Sequence, residues 1–544
     1  MRKLKGLASR TYHVMFHVHT VTGIVISFAL YVIFYAGAFA LFYNETRQWE
    51  DPDLRVPYTN NVDLDLAVSK VDKLHTIDFG EEVDIILPSV HNPLLQVKAI
   101  GESPADSIKG ETIKVAMAPS TLKRIDAAEN RVTVARTIYE LHFFDQIPYA
   151  GSVIAGFVSL FFFLAIVSGT LVHWRNVLTK FYAFVKEGKW KLIWTNIHTV
   201  FGVIGLPFQI MYAITGAFLG LLGLAAVPIL LSGKFEPDDL LAKLEPSTTI
   251  ELNNAAQPAA HLSINELYKK VAYHFPDTKI QSPRILHYGK EDAMVIWYTK
   301  DYKGLSGRGE INMTMKDGEI VEEYSVLPYN KSYVQDVWNY THALHYGNFG
   351  GYLIKVLFFV LSMITCFIII SGILIWRTAR DNKKYTFKQR RFHHKVTKWY
   401  MAISLSMFPA FALLFIANKI VPMDVPDRIA MVNTIFFLGW LLLALYGLFI
   451  HNYSKHNRNY LMLGGIFSLL VPICNGLATG DWFWETAIRY PWVFYVDVFW
   501  IFTGIIALYA SVKVMVKQGS DKPIKDNPNH KKRLQLGNAS TQGN

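Results

Sequence analysis

HTVTG (19–23) returns almost unchanged as HTVFG (198–202), each near the beginning of a long apolar stretch. Lipid penalises a histidine, so one that opens a membrane helix twice asks for a reason. The likeness extends outward from these two points. With the same offset of 179, Gly37-Ala38-Phe39 aligns with Gly216-Ala217-Phe218. With an offset of 203, Leu141-His142 and Ser168-Gly169 align with Leu344-His345 and Ser371-Gly372, just ahead of Trp174-Arg175 and Trp376-Arg377. The chain therefore repeats a unit of span, external domain and span, and then adds four spans outside the repeat.

Composition supports the membrane reading: 51% of the 544 residues are hydrophobic, 14% aromatic and only 18% charged, more apolar surface than a soluble chain buries. Stretches long enough to cross about 30 Å of hydrocarbon as helices run at 16–43, 149–174, 195–231, 352–376, 399–418, 429–450, 460–477 and 492–516. The expected fold is thus an all-α polytopic bundle of eight spans carrying two small external α+β domains. The third stretch exceeds one crossing and holds Pro207 and Pro228, which predicts a kinked or surface-lying outer part.

Lys and Arg fix the expected orientation. Arg2, Lys3, Lys5 and Arg10, the loop with Arg175, Lys180, Lys186, Lys189 and Lys191, the run RTARDNKKYTFKQRRFHHK and the NHKKR tail all fall on one side of eight alternating spans. By the positive-inside rule that side is the cytoplasm of a bacterial inner membrane, with both termini inside. Topology and anionic lipid account for the net charge of +11, so no nucleic acid partner is expected. The first segment is too long for a cleaved signal peptide and reads as a span.

The external segments are 44–145 and 233–345. In the second, SINELYKKVAYHFPD is a Ser-capped amphipathic helix, MVIWYTK and INMTMKDGEIVEEY are strand-like, and Asp317-Gly318 marks a hairpin turn. In the first, VDIILP, LLQVKAI and TIKVAMA are candidate strands. The only cysteines, Cys366 and Cys474, lie inside spans. No disulfide framework, C-x-x-C-H haem attachment or cysteine-bound metal site is available.

Duplication pairs the histidines by depth. His19 and His198 belong to cytoplasmic helix starts, and His142 and His345 to the external ends of their helices. Across a pseudo-twofold axis the members of each pair face one another, which is the arrangement of a haem with two axial imidazoles. The glycine four residues after His19 and after His198 lies one turn deeper on the same face and leaves room for a flat ring. His393-His394, at cytoplasmic depth, rivals His19 or His198 as a ligand.

At these residues the chain resembles the PepSY-associated transmembrane proteins. Their pattern of His-x-x-x-Gly, Leu-His, Ser-Gly-x-x-x-Trp and Thr-Gly stands here as HTVTG, LHFF, SGTLVHW, HTVFG and ITGAF, over roughly residues 10–400. The resemblance implies PepSY-like external domains and ferric-siderophore reductase activity, with two b-type haems held by His19, His142, His198 and His345. Arg175 and Arg377 are the candidate partners for haem propionates on the cytoplasmic side. No nucleotide fingerprint occurs, so electrons come from a cytoplasmic reductase or from quinol. Phe143, Asp145, Trp338, Asn339, Tyr340 and Tyr346 stand near the outer histidines in sequence, where a ferric chelate would approach. Two other functions fit parts of the pattern: a transporter of iron, siderophore or another solute, favoured by eight spans with Asn475 and Asp497 inside them, and a non-catalytic PepSY module that binds a peptide or partner.

Overall fold

In hydrocarbon a backbone can pair only with itself, so the apolar stretches fold as helices. The computed structural model describes residues 8–90, 92–102, 110–125, 133–176, 190–231, 242, 245–253, 255–301, 308–322, 325–327, 332–450 and 452–514. Arg2, Lys3, Lys5, Lys180, Lys186, Lys189 and the NHKKR tail lie outside the described residues. The first copy of the repeat runs α1 (Ser9–Ala40), α2 (Tyr43–Glu50), α3 (Leu64–Leu74), β1 (Thr76–Ile77), β2 (Val83–Ile86), β3 (Leu95–Glu102), β4 (Glu111–Met117), β5 (Arg124–Ile125), α4 (Val134–His142) and α5 (Gly151–His173). The second runs α6 (Trp190–Ile204), α7 (Leu206–Leu231), α8 (Ile264–His274), β6 (Thr278–Leu286), β7 (Met294–Asp301), β8 (Arg308–Thr314), α9 (Tyr333–Tyr346) and α10 (Gly351–Arg380). After the repeat come α11 (Phe387–Ile420), α12 (Arg428–Phe449), α13 (Tyr453–Thr479), α14 (Phe483–Arg489) and α15 (Pro491–Lys513).

Among the described residues, eight helices are long and apolar enough to cross a membrane: α1, α5, α7, α10, α11, α12, α13 and α15. Helix α1 packs on α5 and α10, α5 on α7, and α6 on α10, so the repeated spans close a ring about a pseudo-twofold axis. Where α5 meets α7, Gly156 and Gly220 touch backbone to backbone; a Cβ on Gly220 would fall 2.6 Å from the Gly156 Cα. Only small residues permit that approach. The third stretch does break, but at Gly205, in the half nearer the basic loops rather than in its outer part. Pro207 crowds the preceding turn there, whereas the helix runs on through Pro228.

The two external segments do not form two separate units. Their strands join in one sheet of order β5-β4-β3-β2-β6-β7-β8, with β1 paired to β3. The joint is antiparallel β2–β6, with Asp84 opposite Arg284 and the Arg284 Nε 2.7 Å from Asp84 Oδ1. Each half alone would leave a bare edge strand, and pairing the two edges removes both. The helix starts reciprocate: the Leu64 N–H donates to Asn265 Oδ1, and the Ile264 N–H donates to Asp65 Oδ1. Helices α3 and α8 cover one face, burying Val68, Val71, Leu267 and Val271 against Ile85, Val97, Val295 and Trp297. Ser263 and Glu266 form the capping box of α8, and Gly318 turns at φ 75°, though isolated bridges rather than a full strand follow it.

His142 and His345 also differ from expectation. They end separate short helices, α4 and α9, rather than opening the spans α5 and α10. The breaks are made by left-handed residues: Phe144 (φ 60°) and Tyr149 (φ 62°) after α4, Gly347 (φ 63°) and Gly351 (φ 61°) after α9. The four spans beyond the repeat pack α11 on α12 and α13, and α13 on α15, and α11 joins them to α1 and α10.

Candidate functional site

His19 lies about three turns inside α1, so it is not at the helix start. Its ring stands 6.1 Å, centroid to centroid, from that of His198 on α6. The His19 Nδ1 is 2.8 Å from the Ala165 carbonyl of α5. At the symmetric place, His198 Nδ1 is 3.0 Å from the Ile368 carbonyl and 3.1 Å from Ser371 Oγ on α10. Carbonyls only accept, and Ser371 gives its own proton to Ile368 O, so both Nδ1 atoms carry the hydrogen. Each Nε2 keeps a free lone pair. Gly169 and Gly372 make the approach possible: a Cβ there would lie 2.8 Å from His19 Cε1 and 3.2 Å from His198 Cε1.

The outer pair repeats the scheme. The rings of His142 and His345 are 5.9 Å apart. His142 Nδ1 donates to the Ile33 carbonyl of α1 at 2.8 Å, beside Gly37, whose Cβ would lie 2.5 Å from that nitrogen. His345 Nδ1 donates to Thr215 Oγ1 at 3.0 Å, because Thr215 has already given its proton to Met211 O. A cavity of ≈ 230 Å³ is lined by both histidines and, among others, by Gly37, Tyr139, Phe162, Tyr212 and Tyr346. Ile33 and His19 are separated by about 21 Å of α1, so the pairs sit towards opposite faces, with Phe34, Phe162 and Phe208 in ring contact between them.

The pattern that defines the PepSY-associated TM region matches residues 16–379, two thirds of the chain. The chain belongs to this family. No curated protein matches it. As a PepSY-associated membrane protein it carries the family's region on the repeated spans and the external sheet, while α11 to α15 lie beyond the match.

Other residues singled out in this PepSY-associated chain are dispersed. Arg175 is exposed at the end of α5, and the Arg377 guanidinium lies 4.5 Å over the Tyr453 ring. His393 stacks edge-on to Trp376 and Tyr385, and His394 Nδ1 is 3.3 Å from the Tyr453 hydroxyl; neither ring meets His19 or His198. Of the outer group, Phe143 and Tyr346 line the cavity, Asn339 is buried, and Asp145 is exposed. Asn475 donates to Asp497, whose carboxylate also accepts from Trp49. Tyr139 and Tyr212 were not legible: they have no like residue in the other copy, so the repeat gave no signal. Thr215 was visible as the Thr-Gly of ITGAF, but its bond to His345 was not. Gly169 and Gly372 were visible in the repeat, as the Ser-Gly pairs aligned at offset 203.

Chemically, two free imidazole lone pairs can hold one metal centre from opposite sides. Among the described residues no group of three or more His, Cys, Asp or Glu could enclose a bare ion. The donor set therefore suits a centre that brings its other ligands with it.

Proposed function

We propose that this protein is a transmembrane b-type haem oxidoreductase that delivers electrons to a ferric chelate on its sheet side, releasing Fe(II) for iron uptake. The observation that carries the reading is the doubled pair: two sets of imidazoles, near opposite faces, each with Nδ1 committed and Nε2 free. Two nitrogens about 2 Å from a shared metal place their ring centroids about 6 Å apart, as in both pairs. Space supports it too, since a Cβ on Gly23 or Gly202 would meet nothing within 4 Å. Bound at each pair, haem supplies reversible one-electron chemistry at its iron.

The chain's own residues do the rest. His19 with His198, and His142 with His345, would be the axial ligands. Ala165, Ile368, Ile33 and Thr215 orient those rings and raise their basicity by accepting the Nδ1 hydrogens. The aromatic packing of Phe34, Phe162 and Phe208 keeps water from the path between the pairs. The Lys- and Arg-rich loops support an orientation with the inner pair towards the cytoplasm and the sheet outside, in a bacterial inner membrane. A cytoplasmic reductase docking on those loops, or quinol, is the electron donor. One electron converts chelated Fe(III) to Fe(II), which holds hard oxygen ligands less tightly.

The test is anaerobic stopped-flow mixing of dithionite-reduced protein with ferric siderophores. Reoxidation of the absorption bands in step with Fe(II) appearing in a ferrous trap is expected. Bands that stay reduced with every ferric chelate, yet are oxidised by quinone, would remove the substrate from the reading.

A further inference from the structure

The helix that ends in His142 does not cap itself. Thr133 stands at the N-cap of α4 with no side-chain hydrogen bond into the helix. Its cap comes from α2. Oε2 of Glu50 accepts from the Thr133 N–H at 3.0 Å, the Val134 N–H at 2.6 Å and Thr133 Oγ1 at 3.3 Å. A carboxylate there satisfies the unpaired first-turn donors and meets the positive end of the helix.

Glu50 is in turn seated by α11, and the other three spans beyond the repeat bond to α4, to Trp49 beside Glu50, or to the group that holds Trp49. From α11, Asn418 Nδ2 donates to Thr133 Oγ1 at 2.7 Å and reaches Glu50 Oε2 at 3.4 Å. Its neighbour Lys419 donates to the carbonyls of Trp49 and Glu50 at 2.7 and 3.2 Å. From α12, Asn433 accepts from Thr137, one turn into α4. From α15, Asp497 accepts from Trp49 Nε1 at 2.7 Å, and Asn475 of α13 donates to the same carboxylate at 3.0 Å. Trp49, Glu50, Thr133, Asn418, Asn475 and Asp497 are all buried. This is a dry, directional joint between the added helices and the two short helices at the outer pair. In the second copy the corresponding helix, α9, needs no such partner, because Ser332 and Gln335 form its own capping box.

We infer that the last four spans act as a scaffold for the outer histidine pair, with Glu50 as the positioning residue that holds α4 and so His142 in place. The inference rests on the reading of His142 as a haem ligand. His142 lies about 12 Å along α4 from the cap, and its ring must keep both the Ile33 bond and its distance from His345. Tilting α4 at its start moves the ring at its end.

The test uses the full-length, haem-loaded chain and three variants, E50Q, E50A and N418L. Two readouts are taken: hydrogen exchange of the α4 amides, which needs no haem, and the low-spin haem spectrum. E50A should speed α4 exchange about 10-fold or more and convert only the outer haem from six-coordinate low-spin. E50Q, which keeps an acceptor oxygen, should preserve both signals. N418L should act in the same direction with a smaller effect, and it serves if E50A fails to fold. Unchanged α4 exchange in E50A and N418L would overturn the scaffold role. Faster exchange with a parental outer-haem spectrum would overturn the positioning of His142, as would equal loss of both haems in N418L. Haem-free parent protein would instead remove the ligand reading, with the exchange arm still deciding whether Glu50 and the added spans hold α4.

Discussion

Replacing His345 with Ala should leave one haem where the proposed complement is two, and should sharply lower electron delivery from the cytoplasmic side. The same result is expected of His142→Ala, whereas His19→Ala and His198→Ala should each remove the inner haem and spare the outer. The selectivity follows from geometry. Each pair is bound to different helices and acceptors, and about 21 Å of α1 separates them. A single remaining centre leaves most of the bilayer uncrossed, so transmembrane reduction should fall by at least about 100-fold, as an interaction worth about 2.7 kcal/mol would require. Haem content by pyridine haemochromogen, beside the low-spin spectrum of each variant, checks this. Loss of both haems from every variant would mean that the pairs are not independent sites. Retention of the inner haem in H198A, with its loss in H393A or H394A, would reassign the inner ligand.

A methyl group at Gly37 should do nearly the same damage as removing His142. The Cβ would lie 2.5 Å from His142 Nδ1 and 2.6 Å from Cε1, far inside contact distance. The ring cannot retreat without giving up its 2.8 Å bond to Ile33 O, which fixes its tautomer and direction. Gly37→Ala should therefore lose the outer low-spin signal, with any residual haem bound about 10-fold or more weakly. Gly223→Ala is the comparison, since a Cβ there meets nothing within 4 Å and helix propensity favours Ala. Equal spectra for G37A and the parent would show that the ring does not need this approach, and the outer site would have to be rebuilt around other donors.

Much of this was legible because duplication writes geometry into sequence. Two offsets, 179 and 203, align the four histidines and also the glycines that touch them, and symmetric helices carry symmetric residues. The spans were legible from hydropathy alone, since hydrocarbon leaves the backbone no other partner. What stayed hidden has local causes. Nothing in the pattern around Phe144 and Tyr149 announces left-handed backbone at non-glycine residues, so α4 merged with the following span in the reading. The single sheet was hidden because pairing of β2 with β6 is a tertiary choice between two free edges. The reciprocal caps at Asp65 and Asn265 differ in residue type and so did not register as a repeat. Asn475 and Asp497 suggested transport because intramembrane polar groups usually line a path; here the Asp497 carboxylate accepts from Trp49 and from Asn475. Glu50 could not be found from the sequence, since an acid that caps another helix carries no local signature.

The central claim is that each histidine pair holds a haem, and quantitative haem analysis of the purified parent protein tests it most directly. The account predicts two non-covalent b-type haems per chain, extractable into acidified acetone, six-coordinate and low-spin in the oxidised state, and reducible by dithionite. Colourless protein from haem-replete cells, or protein whose haem is high-spin and unaffected by loss of all four histidines, would contradict it.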